Sequence, residues 1–255
     1  MQNPFKYNKF YHYYLAWDNL VSVTNKFLDY GCGKGEFISK LKNKVKYIYG
    51  FDVDPEKIKI VKTKYPFVKL RIIKVKDKLP YSDNFFNSVS MFHVLEHVDS
   101  EKQAINEIYR VLKPNGVLYL ASPYKGMFAW ADTANLRYRF PKIHKWFLEL
   151  IHSKEEYERR FVNKDGIGLY GDCTASRTWH HHYTEKEVNK LLAKKFKIEN
   201  FYKFSLFHPF LLVLFNVCDY IFGKKSKLIE KIIWYDNMIK ANDNSYNMLV
   251  VAKKI

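Results

Sequence analysis

The sequence predicts an α/β fold, a mostly parallel sheet with helices on both faces. Two observations carry most of that prediction. Phe27-Leu28-Asp29-Tyr30-Gly31-Cys32-Gly33-Lys34-Gly35 reads as a short apolar strand entering a turn with glycine at every second position. Such a turn folds tightly and lets a ligand lie against backbone where a side chain would collide. Val45 to Phe51 then alternates apolar and polar residues as a strand does, ending in Gly50-Phe51-Asp52. In a nucleotide-binding α/β unit, an acid at the tip of the second strand faces the ribose hydroxyls of whatever the first loop holds. Together the two features imply a nucleoside-containing cofactor.

The remaining elements are marked by punctuation. A helical segment around Phe10–Asn19 precedes the first strand, and strands lie near 26–30, 45–51, 69–75, 87–92 and 117–122. Ser100 caps the helix before the last of these, with Gln103 in the capping-box position and Ala104, Ile105, Ile108 and Leu112 on one apolar face. Lys113-Pro114-Asn115-Gly116 ends it with turn chemistry. Thr184 with Glu187 signs a second capping box, on a helix that buries Val188, Leu191 and Leu192. Lys197–Tyr202 and Asn247–Lys253 supply two further strands, giving seven in a single domain over 1–255.

Two stretches exceed what this scaffold requires. The first, 124–179, puts more than fifty residues rich in Trp, Tyr, Phe, Lys and Arg where a short connection suffices, with helices expected near 141–161. It leaves from the strand edge where ligands of open α/β sheets bind, so it reads as a substrate lid; peripheral packing is the alternative. The second, 203–244, expands a hairpin and contains the apolar run Phe207–Phe222, with Lys224, Lys225 and Lys227 just beyond. Its length and its internal Asp219 disfavour a membrane span. A helix lying in a membrane interface and a helix buried against the sheet or in a dimer both remain open.

The glycine spacing bears on the cofactor. A dehydrogenase loop reads Gly-x-Gly-x-x-Gly and seats a pyrophosphate on the next helix. Here the third glycine comes one place early, and Glu36 stands at the mouth of that helix, where a carboxylate competes with a diphosphate. Asp29 adds a second negative group. An acidic loop suits a cofactor carrying an ammonium and a sulfonium, which points to S-adenosyl-L-methionine rather than a nicotinamide dinucleotide.

At these residues the chain resembles the class I S-adenosylmethionine-dependent methyltransferases, particularly the ubiquinone-biosynthesis type with its "LDxGCGxG" loop. Leu79-Pro80-Tyr81-Ser82-Asp83-Asn84-Phe85-Phe86-Asn87 is similar to the family's approach to the fourth strand, with Asn87 where Asp is usual. Phe92-His93-Val94-Leu95-Glu96-His97-Val98 matches its "hVLEHV" segment. The run Val111 to Leu120 matches "RVLKPGGxLxL", and Tyr183-Thr184 with Phe196 echoes a later block. The resemblance covers most of 20–125 and, more loosely, 178–255, and it implies a Rossmann-like seven-stranded sheet and methyl transfer. The cofactor site expected here comprises Asp29, Gly31, Cys32, Gly33, Gly35, Asp52, Val53, Asp77 and Phe92. Asp52 takes the ribose hydroxyls, Gly31 and Gly33 admit the methionine part, Val53 and Phe92 flank the adenosine, and Asp77 reaches the adenine amine.

The acceptor side is less defined. His93, Glu96 and His97 stand at i, i+3 and i+4 and could share a face, as a base for a hydroxyl nucleophile or as part of a metal site. His93 is the expected base; no fourth metal ligand is evident, and no metal is expected. His180-His181-His182 could also face the pocket.

The formal charge of +17 attracts nucleic acid or anionic membranes. The lysines are scattered, and the Asn/Asp-Pro-Pro-aromatic loop of base methyltransferases is replaced by Met91-Phe92-His93-Val94. A small-molecule or lipid-like acceptor is therefore the expectation, with oxygen favoured over nitrogen or carbon as the methylated atom and a nucleic-acid-binding or nucleic-acid-modifying protein as the alternative. Cys32, Cys173 and Cys218 have neither metal nor disulfide spacing, and the N-terminus lacks a signal-peptide pattern. A cytoplasmic location is therefore expected, with peripheral membrane contact through 207–222 left open.

Overall fold

A computed structural model describes residues 2–20, 25–72, 78–132, 135, 138–158, 180–222 and 226–255. Its strands are β1 (Lys26–Tyr30), β2 (Tyr47–Asp52), β3 (Lys69–Ile72), β4 (Phe86–Phe92), β5 (Leu112–Pro123), β6 (Phe196–Phe204) and β7 (Asn247–Lys254). They form one sheet in the order β3-β2-β1-β4-β5-β7-β6. Of these strands only β7 runs antiparallel to its neighbours, β5 and β6. The fold class and all seven strands match the sequence expectation; the expected tail of the third strand, 73–75, lies outside the described residues.

Strand alternation divides the core between the two faces. Phe27 joins Phe37, Ile38, Val61 and Trp17 on one face, while its neighbour Leu28 joins Val89, Ile105, Ile108 and Val188 on the other. The first cluster takes Trp17 from α1 (Tyr11–Asn19) and Val61 from α2 (Pro55–Lys64). The second takes Ile105 and Ile108 from α3 (Glu101–Val111). The helices start where their caps say. Asp54 accepts from the amides of Glu56 and Lys57, Ser100 accepts from Gln103, and Thr184 with Glu187 forms a reciprocal capping box.

Two local elements differ from expectation. The segment after the glycine loop is a 3-10 helix, Ile38–Asn43, rather than an α-helix, so Glu36 stands in a turn and guards no α-helix N-terminus. Ile38 and Leu41 are both buried and sit three apart, the 3-10 repeat. Lys113–Gly116 does not separate helix from strand, because Leu112 already pairs with Phe86. The ladder resumes at Ser88–Val117, so residues 113–116 bulge out within β5, with Asn115 at φ 61°.

In the first long connection, α4 (Pro141–His152) is succeeded by one helical turn at Lys154–Tyr157, within the expected 141–161; residues 159–179 of the expected lid lie outside the described residues. After β5 and that connection, α5 (Glu185–Leu192) leads to β6. The second long connection folds as α6 (His208–Phe222) and α7 (Lys227–Asn237), which pack through Phe215, Ile229 and Ile233.

The chain leaves β1 toward β2 and β3, then returns to build β4 on β1's other side. A crevice opens at such a reversal, beyond the C-terminal ends of the two central strands. Those ends are Asp29–Gly31 and Phe92–His93.

Candidate active site

The loop after β1 is held by its own backbone. The amides of Gly31 and Cys32 both donate to the Phe51 carbonyl, at 3.0 and 2.9 Å, and the Gly35 amide donates to Cys32 at 2.9 Å. Gly31, Gly33 and Gly35 have φ of 78°, 52° and 76°, the left-handed region. Space separates their roles. A Cβ on Gly31 would lie 2.4 Å from Val94 Cγ2, so the segment just after β4 sits directly on this loop. One on Gly33 would meet nothing within 4 Å, which leaves a cradle open at mid-loop.

Two buried carboxyls lie beneath the loop. Asp52 accepts the Gly33 amide on Oδ2 at 2.9 Å and the Asp54 amide on Oδ1 at 3.0 Å. Each oxygen keeps a further lone pair for a ligand hydroxyl. Asp29 is enclosed and accepts a hydrogen bond from Ser90 Oγ at 2.6 Å. Burial, opposed by the Ser90 bond and reinforced by the charge of Asp52, pushes its carboxyl up to about 7. A buried acid held this high is short of positive charge, and that deficit fits a cationic ligand. Cys32 turns its sulfur toward Gly50 and is buried, which pushes the thiol up. Val53 is half-buried beside Asp52. Phe92 packs among His12, Tyr13 and Phe37 as part of the core. Asp77 lies outside the described residues. Asn87 spends its side-chain oxygen on the Lys26 amide at the start of β1, at 3.1 Å.

Beyond β4 the expected histidines assemble into a network. His93 is left-handed at φ 51°, and its Nδ1 meets Glu96 Oε1 at 3.1 Å. Glu96, enclosed at the 3-10 turn Leu95–His97, also accepts Ser122 Oγ at 2.9 Å and lies 3.6 Å from His180 Nε2. Burial alone would push its carboxyl up, but the bonds from His180 and His93 hold it well below the usual carboxylate range. Tyr183 pairs with the end of β5, its amide donating to Pro123 and its carbonyl accepting Lys125, and this swings 180–182 over the site. His180 Nδ1 and His182 Nε2 converge on Asp132 Oδ2 at 2.5 and 2.7 Å, and His182 Nδ1 faces the Tyr124 carbonyl at 3.1 Å. Despite burial, the hydrogen bonds to Asp132 and Glu96 raise His180 to about 10. His97 stacks against His180, whereas His181 turns outward to Glu187.

Asp132, Ser122, His12 and Asn135, whose amide brackets His180 through both its oxygen and its nitrogen, carried no sequence signal. Asp132 stands alone in an aromatic stretch, and only the fold brings it near 180–182. Among the described residues two sets could hold a metal ion, Glu96-His97-His180 and Asp132-His180-His182, each with ligand atoms within 4.8 Å. Each set draws its three residues from segments far apart in the chain, and neither includes His93.

A parallel sheet with a glycine loop at its reversal and an acid ending the second strand defines a nucleoside-cofactor enzyme of the doubly wound class. Residues 28–120 match the family described as Methyltransferase domain. The chain is 30% identical over 99 residues to a demethylmenaquinone methyltransferase of Chlorobaculum tepidum, covering 38% of this chain and 40% of that one. It is 26% identical over 188 residues to a ubiquinone/menaquinone biosynthesis C-methyltransferase of Wigglesworthia glossinidia brevipalpis, covering 71% and 69%. Several relatives match over only 39% to 41% of their own length. A SAM-dependent methyltransferase of Methanosarcina mazei shares the fold, with a TM-score of 0.54 at 19% identity over 94% of this chain and 96% of that one. Residues 28–120 therefore carry a methyltransferase domain of the class I S-adenosylmethionine-dependent type, with S-adenosyl-L-methionine as its cofactor.

Proposed function

We propose that this chain methylates a small, lipid-like acceptor at oxygen, with His93 as the general base. One observation carries the reading: a histidine tied to a buried, ionised glutamate sits one residue from Val94, the side chain that rests on the cofactor loop. In a neutral ring the Nδ1–H donates to Glu96, so the lone pair is on Nε2. His93 is one-third exposed, open enough to take a proton from a phenol-like hydroxyl.

Bound in the glycine loop, S-adenosylmethionine supplies a methyl group on positively charged sulfur as the electrophile. Asp52 would accept hydrogen bonds from the ribose hydroxyls, the open space at Gly33 would admit the methionine portion, and Asp29 would provide the negative charge that a cation needs. Val53 covers the nucleoside. The network of Glu96, Asp132 and His180 fixes the acceptor side, and the start of the connection after β5, which carries Asp132 into that network, shields it from water. The two relatives above are named a demethylmenaquinone methyltransferase and a ubiquinone/menaquinone biosynthesis C-methyltransferase, which supports a small, quinone-like acceptor and leaves the oxygen assignment to the geometry of His93.

The test is transfer of labelled methyl by the purified protein into a total lipid extract and, separately, into RNA. Label recovered as a methyl ether in the lipid fraction is the expected result. Label on ring carbon would replace the oxygen assignment, and label in RNA alone would replace the acceptor class. The charge of +17 makes the RNA arm worth running.

A further inference from the structure

The α6–α7 hairpin leaves apolar side chains on its outer surface. On α7, Leu228, Ile232 and Tyr235 stand at i, i+4 and i+7 and are 68%, 41% and 60% exposed. The other side of the same helix buries Ile229, Ile233 and Trp234, so α7 is apolar on two faces, of which one is buried among the described residues and the other is exposed. On α6, Phe210 and Leu214 are exposed in the same way, continuing from Phe207 just before the helix.

The two stripes share a side. Residues 223–226 are all that separate the helices, so α7 returns along α6, and the pair packs through Leu211, Phe215 and Cys218 against Ile229 and Ile233. A helix turns about 100° per residue, which sets each stripe about a quarter turn from those contacts. In an antiparallel pair both quarter turns point the same way. Trp130, half exposed, extends the surface by its ring contact with Phe210.

Charge argues for what covers this face. Lys227 and Lys231, each one residue before a stripe residue, are exposed along its flank, and Lys240 is exposed just beyond it. Apolar and aromatic side chains edged by lysines suit an interface in which the rings enter the acyl boundary while ammonium groups meet lipid phosphates. Among the described residues no helix is long and apolar enough to cross a membrane. The hairpin also adjoins the catalytic side. Asp236 of α7 accepts the amides of Leu206 and Phe207, and His208, the first residue of α6, stacks on Tyr246, which lies against His182.

We propose that the outer face of the α6–α7 hairpin docks on a bilayer surface carrying anionic lipids and sets the active site beside the membrane. Both helices take part, rather than the 207–222 segment alone. The face is independent of the acceptor's identity, so the test reads docking without turnover. Wild type and the variant Leu228→Gln/Ile232→Gln/Tyr235→Gln are compared by flotation with phosphatidylcholine vesicles, with and without phosphatidylglycerol. A second variant, Lys227→Gln/Lys231→Gln, probes the charged edge.

Wild type should float only with the anionic vesicles. The apolar variant should partition at least tenfold more weakly, with an unchanged melting temperature and unchanged cofactor affinity. The lysine variant should lose binding at lower salt than wild type. Undiminished binding of the apolar variant would be mere adhesion of a basic protein and would overturn the proposal. So would absence of wild-type binding, or a wild-type dimer that the apolar variant dissociates, which would assign the face to a second copy.

Discussion

Asp29→Asn isolates the acid that the fold buries beneath the cofactor loop. In the fold the Asp29 carboxyl titrates near 7, against 3.8 for an ordinary aspartate, chiefly because burial penalises the charged form. A carboxyl raised in the folded state contributes stability below its unfolded value and loses it as pH climbs to the folded value. Between about pH 4 and 7, then, the ligand-free protein becomes less stable on account of this group. The gap, at about 1.4 kcal/mol per pH unit, is worth about 4 kcal/mol as an upper limit. Asparagine preserves a partner for Ser90 and cannot ionise, so the variant should be the more stable protein above neutrality by about 1–4 kcal/mol, and close to wild type near pH 4. Urea denaturation of both proteins across that range measures the difference. The same group governs binding: a cation seated beside Asp29 favours its ionised form, so cofactor uptake near pH 7, where the group is about half protonated, should release about half a proton in wild type and none in the variant. Calorimetry in buffers of different ionisation heat reads that proton. Parallel stability profiles, or equal proton release from both proteins, would refute the argument.

Other expectations are narrower. Asp52→Ala should weaken cofactor affinity by about 30- to 1,000-fold, the equivalent of about 2–4 kcal/mol from two charge-assisted hydrogen bonds; an unchanged titration would remove Asp52 from the site. Gly33→Ala meets open space and should cost only about 1 kcal/mol of stability while blocking the cradle, whereas Gly31→Ala drives a methyl into Val94 and should impair folding itself. Melting curves beside binding curves separate the two. His93→Gln should lower methyl transfer by about 10²- to 10⁴-fold with cofactor affinity intact, and equal rates would exclude it as base.

How much of this is legible in the chain depends on how local each signal is. The glycine loop, the caps at Ser100 and Thr184 and the apolar periodicities lie within a few residues of their effect, and each marks an element that the structure contains. The 3-10 helix at Ile38–Asn43 is harder to see, because a Rossmann-type glycine loop ordinarily opens into an α-helix. A buried pair at i and i+3 suits either helix, so Ile38 and Leu41 alone do not separate them. The cluster around Asp132 depends on contacts nearly fifty residues apart in the chain, between Asp132 and His180, so no local pattern could disclose it. The second apolar face of α7 is similarly hidden, because sequence shows how apolar a helix is and not how many of its faces find partners.

Asp29, Glu96 and Asp132 are all enclosed, yet of the three only Asp29 is pushed up. The difference is the kind of donor: a hydroxyl for Asp29, whereas Glu96 and Asp132 are each hydrogen-bonded by imidazoles, His180 among them. His180 is what holds the latter two together, since its ring nitrogens face one carboxylate apiece. Its raised value, about 10 against 6.5, means that its contribution is full below pH 6.5 and is lost as pH rises through 10. Asp132→Asn removes one of the two charges while keeping the shape. Burial should then prevail over the remaining Glu96 contact, His180 should lose its proton within the neutral range, and the fold should lose about 3–5 kcal/mol as a buried pair is broken. The expected readout is an imidazole proton resonance that stays at its charged position past pH 8 in wild type and titrates below 8 in the variant. Because Glu96 also orients His93, any methyl-transfer rate should acquire a new dependence on pH in the variant. If the wild-type His180 resonance titrates near 6.5, the doubly bridged imidazolium does not exist, and the base must be oriented by something other than this network.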